Sequence, residues 1–144
     1  MKKRKMLILA LLVVVLVGVG IIGGKYYMNE KAEKEKVELQ TSDYSIEQER
    51  ILAKQIKNTF ADIKSVKFVN KSMSKNSVAG FISIDIIIQT DNKNEKIGTD
   101  FPINKDNESK SEQLESYIGG DDLNNGETSN NITVYFTNDS EEVL

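Results

Sequence analysis

Apolar and polar positions divide the chain into three regimes. Residues 6 to 24, MLILALLVVVLVGVGIIGG, form an unbroken apolar run. Residues 25 to 44 are dominated by alternating charges, and from residue 45 onward apolar positions recur with helix or strand periodicity. As a helix rising ~1.5 Å per residue, the first run is roughly 28 Å long, close to the ~30 Å hydrocarbon core of a bilayer. A helix satisfies its own backbone groups in that environment. The run is therefore expected to be a transmembrane signal anchor embedded in the lipid bilayer, with residues 1–5 as a cytoplasmic basic flank.

Orientation follows from charge. Lys2, Lys3, Arg4 and Lys5 crowd one side of the run, whereas Lys25 stands nearly alone on the other. The positive-inside bias predicts a single-pass protein of the cell membrane, N-terminus cytoplasmic and everything from Lys25 extracytoplasmic. Tyr26 and Tyr27 suit the outer interface. Gly20 and Gly24 form a GxxxG that would permit a weak homodimer, although glycine is also simply common in such helices. A cleaved secretory signal is the alternative, with Gly18-Val19-Gly20 standing in for the small-x-small site after an apolar stretch of 6–17.

Residues 25–44 read as a charged juxtamembrane connector. Asn29 to Glu38 alternates charge signs and offers i,i+4 pairs such as Glu30 with Lys34, which favour a solvated helical extension.

Residues 45–144 are expected to form one extracytoplasmic α+β domain. Ser45-Ile46-Glu47-Gln48 fits a capping box, and Leu52, Ile56, Phe60 and Ile63 then recur at helical spacing with Ala53 beside them. Val66 to Asn70 suggests a short strand. Ala79 to Thr90 alternates strictly, with Ile82, Ile84, Ile86 and Ile88 on one face and Phe81, Ser83, Asp85, Ile87 and Gln89 on the other. That pattern is a half-buried central strand. Asp91 to Glu95 supplies a hairpin turn, Lys96 to Phe101 the return strand, and Pro102 its end. Ser109-Lys110-Ser111-Glu112 resembles a second capping box, ahead of a short helix carrying Leu114, Tyr117 and Ile118 and stopped by Gly119-Gly120. Residues 121–131 are expected to be a mobile polar loop, 132–137 a last strand, and 139–144 a frayed acidic tail. The sum is a two-layer domain, with helix packed on an antiparallel sheet of about four strands.

Composition narrows the chemistry. All 22 acidic side chains and 15 of the 19 basic ones lie from Lys25 onward, so that part carries a net charge of 15 − 22 = −7. This argues against nucleic acid as a partner. The chain has no cysteine and no histidine, which removes disulfides, lipoprotein attachment, thiolate zinc sites and imidazole-based relays. Ser72-Met73-Ser74-Lys75 matches the S-x-x-K of penicillin-interacting serine enzymes, but the companion S-D-N and K-T-G motifs are missing. Asp121 and Asp122, near Asn124, Asn125 and Glu127, break the EF-hand pattern at Leu123 and Ile132, leaving only weak calcium binding open. Asp85 would need a partner such as a neighbouring-strand lysine if its face were covered. No catalytic, cofactor-binding or metal-binding residue is assigned.

Ser65-Val66-Lys67-Phe68, and Lys75 to Gly80 leading into the alternating isoleucine strand, carry a resemblance over about residues 46–101. The layout is similar to a family of short signal-anchored proteins of unknown function in Gram-positive bacteria. The resemblance implies the membrane location and the α+β fold, and brings no catalytic residues.

Two functions fit these observations. One is a membrane-anchored binding or accessory domain, without catalytic activity, that engages an unidentified protein or envelope partner. The other is an immunity or inhibitor protein whose acidic domain neutralises a basic toxin at the cell surface, an encounter that charge complementarity would accelerate.

Overall fold

The computed structural model describes residues 42–144. The expected anchor at 6–24, with Gly20 and Gly24, and most of the connector lie outside the described residues. Among the described residues no helix is long and apolar enough to cross a membrane.

The domain is one helix on one sheet. Helix α1 spans Asp43–Thr59. Its N-cap is Ser42 rather than Ser45: the Ser42 hydroxyl accepts from the Ser45 backbone N–H at 3.2 Å, and Asp43 and Lys57 sit at the ends that suit the helix dipole. The connector's expected last residues, 43 and 44, therefore belong to the domain. Leu52, Ala53 and Ile56 form the buried stripe. The chain leaves the helix at Phe60, and Ile63 opens β1 instead of extending the helical row. Asp62, at φ 60, makes that reversal.

Seven strands follow, three more than the alternation pattern predicts. They are β1 Ile63–Phe68, β2 Ser74–Asn76, β3 Phe81–Thr90, β4 Asn94–Pro102, β5 Ile118–Gly119, β6 Thr133–Tyr135 and β7 Glu141–Val143. Their order is β5-β4-β3-β1-β6-β7, with β2 pairing the start of β3. The sheet is mixed rather than purely antiparallel, because β6 returns parallel to β1. The isoleucine row behaves as the alternation dictates. Ile82, Ile84, Ile86 and Ile88 are all at most 3 % exposed, and each would contribute on the order of 1.5–3 kcal/mol of burial. Cross-strand partners Phe101, Thr99 and Ile97 on β4, and Phe68 and Val66 on β1, complete the layer beneath α1.

Three expectations fail for tertiary reasons. No helix forms after Ser109. The chain makes a 3₁₀ turn at Lys105–Asn107 and then runs extended. Its backbone is held from α1: Gln55 and Asn58 side-chain amides donate to the carbonyls of Ser111 and Glu112, and the Thr59 hydroxyl accepts from the Leu114 N–H. Residues 121–131 are docked by backbone bonds from Ala61 to Asn124, Gly126 to Thr59 and Thr128 to Lys57. The acidic tail is strand β7, locked to the sheet by reciprocal bonds between Ile132 and Leu144 of 2.9 and 3.0 Å.

Candidate interaction surfaces

The S-x-x-K serine is occupied structurally. Residues 69–73 interrupt what would otherwise be one long strand alongside β3, and Lys71 takes φ 63 there. The Ser72 hydroxyl donates to the Val69 carbonyl at 2.8 Å and accepts from the Asp85 N–H at 3.1 Å. That closes the backbone gap the interruption opens. Met73 drops into the core, while Lys75 is exposed on β2. Asp121 and Asp122 are likewise exposed. Asp122 shares a small cleft of about 110 Å³ with Asp62 and Asp91, and no group of three or more acidic side chains poised for a metal occurs among the described residues. Asp85 lies on the uncovered sheet face, half-exposed, with Lys96 of the neighbouring β4 at 2.9 Å.

A polar cluster that the alternation did not disclose joins α1 to the end of β6. Glu49 is fully buried. One carboxylate oxygen accepts the Thr137 N–H and the other its hydroxyl, both at 2.8 Å. Burial pushes its pKa up to about 7, the Thr137 hydrogen bonds opposing that rise only in part. Gln48, beside it, is 2 % exposed, and its amide nitrogen has no partner. On the next position of the helix, Arg50 covers the ring of Phe136 and donates to Glu142 at 2.8 Å. Lys57 reaches the Leu144 carbonyl. Helix α1 thus grips the β6–β7 hairpin at three places. The signal was present in the sequence, since Glu49 continues the row of Leu52, Ala53 and Ile56 one turn toward the N-terminus.

Two surfaces among the described residues are open. A groove of about 500 Å³ runs between α1 and the extended segment, lined by Ile51, Lys54, Asn58, Glu112 and Glu127 among others. Its side-chain amides are already engaged, those of Gln55, Asn58 and Gln113 donating to backbone carbonyls across the groove. The second surface is the sheet face opposite α1, which no helix among the described residues covers. It displays Ile87 of β3, Lys96 of β4, Lys67 of β1, Tyr135 of β6 and Val143 of β7. Tyr135 and Val143 are 40 % and 62 % exposed and sit at one corner.

No protein-family model, no curated protein and no solved structure matches this chain.

Proposed function

We propose that this protein is a membrane-anchored extracytoplasmic binding module. The apolar run at 6–24 holds it in the cell membrane with the basic flank inside, and the domain engages a protein partner of the membrane or envelope. The observation that carries the reading is the one-sided sheet: α1 closes one face, and the other presents Ile87, Tyr135 and Val143 among Lys67 and Lys96. Aromatic and apolar side chains ringed by charge are the composition of a protein-contact surface. Tethering would raise the domain's effective concentration beside a membrane-bound partner.

The test is a photo-crosslinking amino acid placed at Ile87 or Tyr135 in intact cells, with Glu47 on the outer side of α1 as reference. Capture of a discrete partner from the sheet face and not from Glu47 supports the module. Equal capture from both, or none from the sheet face, overturns it. Protease added to wall-stripped cells should degrade residues 25–144, and full protection would reverse the topology.

The net charge of −7 beyond the anchor supports the second reading, an immunity protein against a basic toxin. A captured partner that is itself a basic toxin, bound tightly at low salt and weakly at high salt, would select it.

A further inference from the structure

The sheet ends at two edges of different character. At one, β5 is only two residues long, and Gly119 and Gly120 take φ 89 and 73. The chain turns away there before it can template another strand. At the other edge lies β7, beyond which no strand pairs among the described residues.

The register fixes which backbone groups β7 leaves unused. Ile132 and Leu144 exchange both backbone hydrogen bonds, and the Phe136 N–H bonds to the Ser140 carbonyl. Along an antiparallel pair, hydrogen-bonded and non-hydrogen-bonded positions alternate. Glu142 therefore points its N–H and C=O at Val134, while Glu141 and Val143 point theirs outward. The side chains of Glu141 and Val143 share the uncovered face with Tyr135 and Thr133, their opposite numbers on β6. Glu142 lies on the helix side, held by Arg50. The edge thus offers two outward donor–acceptor pairs flanked by a carboxylate and an exposed valine.

Resting on the binding-module reading, we propose that the β7 edge accepts an extended segment of another protein as an antiparallel strand. The segment carries an apolar residue opposite Val143 and, two positions later, a basic residue opposite Glu141. Main-chain hydrogen bonds supply affinity in such strand addition, and alternate side chains supply specificity. A second copy of this chain is the wrong occupant. Pairing Glu141 with Val143 of a copy sets Glu142 against its own counterpart, and centring the pair on Glu141 opposes Glu141 to itself; a pair centred on Val143 avoids that clash but matches only Val143 between the two β7 strands and leaves the outward groups of Glu141 unused. Like charges directly opposite one another destabilise a strand pair. The domain's acidic balance favours a basic segment over an acidic one.

The test uses the full chain in detergent micelles, isotope-labelled for amide NMR, titrated with the blocked peptide TVTKT and with TVTET as its charge-reversed control. TVTKT should shift the amides of Glu141 and Val143 and slow their hydrogen exchange at least tenfold at saturation. TVTET should bind at least fivefold more weakly, and Glu141→Lys should invert that preference. The proposal is overturned by equal response to both peptides, by shifts confined to the α1 groove, or by no response at millimolar TVTKT. Protection of Glu141 and Val143 that grows with protein concentration alone would name a second copy as occupant and also overturn it. In-cell crosslinks from Tyr135 that survive Glu141→Lys undiminished would sink the edge while leaving the module standing. Their absence at every sheet-face site would sink the module itself.

Discussion

Glu49 makes stability depend on pH in a direction opposite to that of most carboxylates. Its carboxyl has lost all contact with water, and burial raises its pKa from 4.5 to about 7. The folded state therefore holds this proton more tightly than the unfolded chain does. Stability from the group is full below pH 4.5, falls as pH rises, and is lost once pH passes about 7. At ~1.4 kcal/mol per pH unit, the swing amounts to roughly 3 kcal/mol, a large fraction of the ~5–15 kcal/mol that holds a small domain together.

Glu49→Gln isolates the effect. The amide keeps the shape, and its oxygen can still accept the Thr137 N–H. It cannot ionise, and the second oxygen becomes a donor that faces the Thr137 hydroxyl oxygen. Urea unfolding followed by tyrosine fluorescence, at intervals from pH 4 to 9, gives the curve for each protein. The wild type should lose roughly 3 kcal/mol relative to Glu49→Gln across that range. At pH 5, where Glu49 is itself protonated, the variant should be weaker by on the order of 1 kcal/mol, because its amide brings a second N–H that the buried site must satisfy. At pH 8.5 it should equal or exceed the wild type. Parallel curves would refute the reasoning, since they would mean that Glu49 has the same proton affinity folded and unfolded. A variant that fails to fold at any pH would show that Thr137 requires a carboxylate and not merely an acceptor.

Other positions yield sharp contrasts by the same denaturation assay. Ile84→Asp buries a carboxylate with no partner in the centre of the isoleucine row and should cost more than ~4 kcal/mol. Ser83→Asp loses the bond to Asp100 and should cost less than ~2 kcal/mol; equal damage would mean that both faces of the sheet are covered. Gly119→Ala places a Cβ 2.6 Å from the Lys96 carbonyl oxygen at φ 89. It should cost ~1–3 kcal/mol and expose the β4 edge to hydrogen exchange. Ser72→Ala strands the Asp85 N–H and should cost about 1 kcal/mol, whereas Lys75→Ala should leave stability unchanged. Loss of cellular function in a folded Lys75→Ala protein would instead revive an enzymatic S-x-x-K.

How far the fold can be read from the residues depends on the distance over which each element finds its partners. The isoleucine row was legible because period two is itself a statement about one buried face, and β3 to β4 needs only a local turn. Ser109 to Glu112 carries an equally good local signal for a helix, yet the chain there is extended. What overrides it is the set of amides on Gln55, Asn58 and Gln113 and the Thr59 hydroxyl, more than fifty residues distant from the groups they bond. They supply the hydrogen bonds that an isolated turn of helix would have made for itself, and a three-turn helix is marginal without tertiary support. The acidic C-terminus deceives in the same way. Glu141 and Glu142 look like solvated charge until Arg50, 92 residues earlier, takes Glu142 to the helix side. Strand periodicity then turns Glu141 and Val143 outward. Glu49 is the instructive exception: a carboxylate in register with Leu52, Ala53 and Ile56 conflicts with its own helix face, and the sequence carries that conflict. It could be resolved only by a donor, and the donor, Thr137, lies 88 residues away. Where an apolar row contains one ionisable member, the sequence can therefore locate a buried polar contact but not its partner. In this domain that contact anchors the hairpin whose outer edge pairs with no further strand among the described residues.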